Sequence, residues 1–208
     1  MKILNLYAGI GGNRKLWGDE HEITAVEYDK NIAKIYQDYF PNDEVIVDDA
    51  HEYLRLNYDK YDLIWSSPPC PSHSRIRQNV GVLHLGYEAV FPDMKLYQEI
   101  LFLKHHSEIK KHNIKRYWVV ENVIPYYEPL IPAKKLGRHL FWSNFDLDDY
   151  VEDKKVIFKK GTISQYEQAY EYDLSKYSSI DKRMLLRNCV QPKLGKHILN
   201  SLMNNDLS

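Results

Sequence analysis

Cys70 stands in the run Ser67-Pro68-Pro69-Cys70-Pro71-Ser72-His73-Ser74, where prolines restrict the backbone on both sides. A cysteine held this way in a loop can act as a nucleophile. With an ordinary thiol pKa, about 3% of it is thiolate at neutral pH, and that fraction reacts readily. Taken alone, such a cysteine is as readily structural. The other cysteine, Cys189, has apolar neighbours and reads as packing. Glu121 closes the β-rich run of Val119-Val120-Glu121-Asn122-Val123. A half-buried carboxyl there can share a proton with a ring nitrogen, or merely accept backbone hydrogen bonds. The loop Tyr7-Ala8-Gly9-Ile10-Gly11-Gly12 lets backbone N–H groups approach an anionic or zwitterionic ligand, although a plain turn would look the same. Its spacing is not that of a dinucleotide fingerprint. Glu27, at the end of the next β-rich run, is placed to hold ribose hydroxyls of a nucleoside cofactor. Asp49 is either a partner for an adenine amino group or a helix N-cap.

These residues must be positioned by a sheet. Short β-rich runs alternate with helical stretches, which predicts an α/β fold with a mostly parallel sheet covered by helices. Strands are expected at Lys2–Leu6, Ile23–Glu27, Glu44–Val47, Tyr61–Ser66, Tyr117–Val120 and Leu140–Trp142. Helical spacing runs from Asp29 to Tyr39, through Ile32, Ile35, Tyr36 and Tyr39, and Pro41 stops it. A short helix is expected near His51–Leu56. A longer one at Met94–His112 carries Leu96, Ile100, Leu101, Leu103 and Ile109. A glycine-containing loop fills Pro71 to Phe91. Near the end, Pro192 starts a helix striped by Leu194, Ile198, Leu199 and Leu202. The pattern weakens over Asp146–Lys182, which reads as an insertion or small subdomain. Four of the chemistry-bearing segments follow strands, so they should converge at the carboxyl edge of the sheet.

The 208 residues are 44% hydrophobic, enough for one domain with a real core. A formal net charge of −1 neither announces nor excludes nucleic acid, because a binding face depends on how charge is distributed. Two cysteines form no disulfide framework. No apolar run is long enough to span a bilayer and no leader pattern opens the chain, so a soluble cytoplasmic protein is expected. The histidines show no zinc-type spacing, and no metal is expected. From Leu63 to Tyr87 there is no acidic residue, but there are His73, Arg75, Arg77 and His84. By default such a segment is a solvated loop. Directly after Cys70, it is better read as contacting phosphates through Ser74, Arg75 and Arg77 and closing over a base. Lys110, Lys111, Lys115 and Arg116 are a second basic cluster, or a helix end stabilised by its dipole.

The glycine loop, Glu27, Asp49, Pro69-Cys70, Glu121-Asn122-Val123 and the tail Asn188-Cys189-Val190, in this order, resemble the cytosine-C5 DNA methyltransferase family, in a short phage or bacterial type. The resemblance covers residues 1–145 and 183–203. It implies a Rossmann-like catalytic domain (1–145 and 183–208) that uses S-adenosyl-L-methionine, with a reduced target-recognition insertion at 146–182. By the resemblance, Cys70 is the nucleophile, Glu121 protonates the ring, and Arg138 steadies the cytosine. Tyr7, Ala8, Gly9, Gly11, Gly12, Glu27, Tyr28, Asp49, Ala50, Pro69, Asn188 and Val190 surround the cofactor. The partner is double-stranded DNA with a flipped cytosine, joined by a separate recognition subunit or a second copy of the chain.

The chain also departs from the pattern. Asn5 stands where the family usually has an acid, and Pro71 and His73 replace a usual Gln and Phe. The usual Gln-x-Arg-x-Arg element is reduced to Gly137-Arg138-His139-Leu140-Phe141-Trp142. Two other readings stay open, a cytosine-C5 methyltransferase acting on tRNA and a non-catalytic methyltransferase-like DNA-binding subunit. Retention of both Cys70 and Glu121 speaks against the second.

Overall fold

The computed structural model describes residues 1–108, 116–151, 161–178 and 180–206. Its seven strands are β1 (Lys2–Leu6), β2 (Glu22–Glu27), β3 (Glu44–Val47), β4 (Leu63–Ser66), β5 (Tyr117–Val123), β6 (Lys134–Leu136) and β7 (His139–Ser143). They form one sheet in the order β3-β2-β1-β4-β5-β7-β6. The first five strands pair in parallel, whereas β7 is antiparallel to both of its neighbours. This is the expected Rossmann-like sheet, with its switch point between β1 and β4. The β6–β7 hairpin was not expected as such: β6 has only three residues and no alternation to reveal it. β5 also runs three residues further than its apolar core suggested, so Glu121 lies within the strand, opposite Phe141.

The helices are α1 (Lys30–Tyr39), α2 (Ala50–Asn57), α3 (Leu83–Leu85), α4 (Lys95–Glu108), α5 (Ile163–Tyr170), α6 (Lys182–Asn188) and α7 (Pro192–Asp206). α1 starts at Asp29, whose carboxylate accepts from the Asn31 and Ile32 backbone N–H groups, and stops before Pro41. Asp49 caps α2 in the same way. In α4, Leu96, Ile100 and Leu103 are buried as expected, but Leu101 is 59% exposed. Glu99 takes a place on the buried face instead. The expected stripe of α7 is buried throughout. The stretch from Pro71 to Phe91 is not a plain loop. It contains a π-helical turn at Arg77–Val82 that runs into α3, and Gly86 at φ +69° ends it.

α1 and α7 cover one face of the sheet, and α2 and α4 the other. α7 comes close because Gly195 has no side chain: a Cβ there would lie 2.2 Å from the Asn13 carbonyl oxygen. The Trp17 indole N–H then donates to the Gly195 carbonyl at 3.2 Å. The described part of the expected insertion is continuous with this body. α5, which opens with a Thr162–Gln165 capping box, contributes Tyr166 and Tyr170 to a cluster with Ile10, Ile35, Leu185 and Leu186. The Tyr172 hydroxyl donates to the Ile10 carbonyl at 2.8 Å. Residues 152–160, and Lys110, Lys111 and Lys115 of the second basic cluster, lie outside the described residues. Arg116 of that cluster donates to the Asp59 carbonyl. Among the described residues, no helix is long and apolar enough to cross a membrane.

Candidate active site

A cleft of about 930 Å³ opens along the carboxyl edge of the sheet. The expected site residues Tyr7, Ala8, Gly9, Gly12, Glu27, Tyr28, Asp49, Ala50, Pro69, Cys70, Ser74, Arg75, Glu121, Arg138, Asn188 and Val190 all line it. Gly11 and Arg77 do not. Gly11 backs onto Phe40 and Tyr36, where a Cβ would collide with both rings. The Arg77 guanidinium turns to the Glu88 carbonyl at 2.9 Å and sits over the Tyr87 ring.

At one end of the cleft the glycine loop is fixed from several sides. The Gly9 N–H donates to Glu27 Oε2 at 2.9 Å, and the Asp29 N–H donates to Oε1 at 3.0 Å. Gly12 packs on the tail: a Cβ would lie 2.6 Å from the Val190 carbonyl oxygen and 2.8 Å from Cys189 Cβ. Cys189 is buried, and its thiol is pushed up to about 12 by that burial, which fits the packing role. Asn5 is fully buried and exchanges amide hydrogen bonds with Asn13, so it clamps the loop from beneath instead of lining the cleft. Arg14, directly after the loop, is buried in a two-pronged pair with Asp43, at 2.9 and 3.1 Å. Asp49 serves the cap and the cleft together. Its Oδ1 accepts from the His51 and Glu52 N–H groups, and its Oδ2 lies 3.7 Å from Lys95 Nζ. Burial pushes its carboxyl up, but the two backbone donors and Lys95 outweigh this and hold it below the usual carboxylate range.

The Cys70 loop is braced at both flanks. The Cys70 carbonyl accepts from the His73 and Ser74 N–H groups, which closes a tight turn. The His73 ring is fully buried and meets the Tyr127 hydroxyl at 2.6 Å. Arg75 Nε donates to the Pro125 carbonyl at 2.8 Å, beside a bridge between Ser74 and Pro125. From β5, the Asn122 amide donates to the Pro68 carbonyl at 2.9 Å. The two elements that carry Cys70 and Glu121 are thereby tied together through Asn122. Burial, and then the charge of Glu121, push the Cys70 thiol up to about 11. The resting thiolate is therefore scarcer than the roughly 3% expected for an ordinary cysteine.

Several residues of the site were not visible from the sequence. Glu99 is almost fully buried behind the glycine loop and collects the Tyr7 hydroxyl at 2.6 Å, the Ser66 hydroxyl at 2.6 Å and His51 Nδ1 at 2.9 Å. The signal was an acid inside the apolar stripe of α4. Arg183 and Arg187 line the cleft from the exposed face of α6, and His139 lines it from the start of β7. The carboxylates of Glu27 and Asp49, the glycine backbone and the apolar wall of Ile32 and Ala50 together fit a cationic nucleoside cofactor with hydroxyl and amino donors.

Residues 1–91 match the C-5 cytosine-specific DNA methylase family model. A curated relative, the type II methyltransferase M.Bsp6I of Bacillus sp. (strain RFL6), is 35% identical over 77 residues, 36% of this chain and 24% of the relative. The match thus spans about a quarter of that relative's length. Solved structures that are similar include a mutant of Spodoptera frugiperda DNMT2, at 25% identity and TM-score 0.38, covering 59% of this chain and 35% of that one. Another is the Entamoeba histolytica methyltransferase EhMeth, at 12% identity and TM-score 0.45, covering 79% of this chain and 62% of that one. The stretch from β1 through the Cys70 loop to Phe91 is thus the part of the chain that is similar to the C-5 cytosine-specific DNA methylases.

Proposed function

We propose that the chain methylates C5 of cytosine in double-stranded DNA, with S-adenosyl-L-methionine as methyl donor and Cys70 as covalent nucleophile. The observation that carries this reading is the shared cleft: Cys70 and Glu121 lie close enough for the carboxylate to act on the thiol, with the glycine loop and Glu27 at the other end. A cytosine inside a duplex is out of reach of such a cleft, so the base must be flipped, at a few kcal/mol of lost pairing and stacking. Arg75, Arg138, Arg183 and Arg187 on the cleft walls supply positive charge for the flanking phosphates.

C5 of cytosine is a poor nucleophile. Addition of Cys70 Sγ to C6, with Glu121 sharing a proton with N3, makes the ring enamine-like at C5. The bound cofactor contributes a methyl group activated on a sulfonium. Glu27 and the glycine loop would hold the cofactor beside the base, and such positioning is a large part of the rate gain in a transfer of this kind. C5 takes the methyl as its bond to sulfur breaks and leaves a neutral thioether; the C5 proton then passes to solvent, and Cys70 departs as the C6–S bond breaks, which restores the aromatic ring. The high thiol pKa fits this sequence. When a proton is held between the Glu121 carboxylate and N3 of the base, part of the charge that opposes thiolate formation is offset.

The natural setting is the cytoplasm of a bacterial or phage-infected cell, with restriction protection or phage self-modification as the role. Bisulfite sequencing of DNA from cells that express the chain should show methylated cytosines. DNA carrying 5-fluorocytosine at the target should trap a covalent adduct at Cys70. Cys70→Ala should lose both, whereas Cys189→Ala should keep them. Full methylation by Cys70→Ala would overturn the mechanism, and methylation confined to tRNA would overturn the substrate.

A further inference from the structure

The β5–β7 pairing sets an imidazole beside the carboxylate on which the proposed chemistry turns. His139 is the first residue of β7 and pairs with Val123. Glu121 lies two residues along on the same face, a diagonal neighbour within reach of long side chains. His139 Nε2 is 3.7 Å from Glu121 Oε1, and the two side chains are only 13% and 9% exposed. The other ring nitrogen, Nδ1, is buried and has no hydrogen-bond partner among the described residues. A buried imidazole nitrogen left unpaired is an unusual choice for packing alone. Both residues line the cleft with Cys70.

We propose that His139 is a positioning residue for Glu121: its ring engages one carboxylate oxygen, leaves the other for the cytosine ring nitrogen, and when protonated offsets the Glu121 charge felt at Cys70. The proposal rests on the methyltransferase reading, yet the coupling itself belongs to the resting protein. The other charged or titratable groups on the cleft walls are Cys70 and Arg75 from the Cys70 loop, Arg138 from the β6–β7 turn, Asp181, Arg183 and Arg187 from α6 and its cap, and, along the rest of the cleft, Tyr7, Glu27, Tyr28, Asp49, Asp93, Lys95 and Cys189. The arginines hold their charge across the working range, and Asp181 is occupied as the cap of α6. Cys70 feels Glu121 directly: the carboxylate is the second cause, after burial, of its raised thiol pKa.

The test is alkylation of Cys70 by iodoacetamide, followed by mass spectrometry from about pH 6 to pH 10, in the wild type, His139→Gln, Glu121→Gln and the double variant. His139→Gln should slow alkylation about three- to tenfold where the ring carries its second proton and leave it unchanged where the ring is neutral. In the Glu121→Gln background, the substitution should have no effect. In methylation assays, His139→Gln should lower kcat and leave the KM for DNA unchanged. His139→Asn and circular dichroism separate a folding defect from a loss of coupling. Equal alkylation profiles in wild type and His139→Gln overturn the proposal, as does equal slowing with and without Glu121. If the coupling is present but no cytosine is methylated, the assigned reaction is wrong and the coupling stands.

Discussion

Glu27 keeps more acceptor capacity than the fold uses. Each of its oxygens accepts one backbone N–H, from Gly9 and from Asp29. A carboxylate has about four lone-pair sites, so two remain for ribose hydroxyls. Glu27→Ala should weaken S-adenosyl-L-methionine binding by about 1.5–3 kcal/mol, the loss of a charge-assisted hydrogen bond. Glu27→Gln, which keeps one acceptor oxygen, should lose less. Titration calorimetry measures both, and unchanged affinity in Glu27→Ala would remove the residue from the site. Glu27, Cys70 and Glu121 were legible in the sequence because each sits in a short run whose residue types already suggest chemistry. His139 and Glu99 were not, because their partners come from other elements. Nothing near His139 in the chain announces Glu121, and only the β5–β7 register brings them together. The sequence also suggested an ordinary thiol at Cys70; burial behind the braced loop is what makes it a quiet one.

At the level of elements, β5 and the nucleophile loop act as one piece because the Asn122 amide donates to the Pro68 carbonyl. Asn122 is nearly fully buried, and its own Oδ1 accepts from the Val123 N–H. Asn122→Ala leaves a buried carbonyl without its donor, which should cost about 1–3 kcal/mol of stability by urea denaturation. The same change should slow the covalent trapping of 5-fluorocytosine DNA, because Cys70 and Glu121 lose their common reference. Wild-type trapping rates together with reduced stability would show that the tie serves the fold alone. Strands buried on both sides are easily read from apolar runs, and so are helices with a stripe and a stop. The π-helical turn at Arg77–Val82 escaped that reading because it has neither a cap nor a regular stripe. α5 was hidden by its tyrosines. Tyr166 and Tyr170 are core residues here, but their polar ends made the segment look like an irregular insertion.

For the molecule as a whole, the alternation of strands and helices was enough to foresee a parallel sheet and a site at its carboxyl edge. How much of the segment 146–182 packs into the core could not be foreseen. Of the segment 146–182, the part from Ile163 to Leu174 contributes buried side chains to the cluster around Ile10 and Ile35, and is thereby spent on the core. A bidentate base contact provides about 1–3 kcal/mol of discrimination, and so short a remainder has room for one or two. A recognition sequence on the order of two to four base pairs is therefore expected, or help from a partner for anything longer. Genome-wide methylation mapping with the purified chain on unmethylated DNA decides this, and a six-base-pair sequence without a partner would refute it. The approach of Gly195 to Asn13 also bears on how the protein is born. α7 supplies Leu194, Ile198, Leu199 and Leu202 to the cluster that holds Ile3 and Trp17, so the first loop is finished by some of the last residues described. Ribosomes add about 5–20 residues per second, so a nascent chain displays its nucleophile loop on the order of ten seconds before α7 emerges. Over that interval the glycine loop lacks the backing that α7 gives it through Asn13.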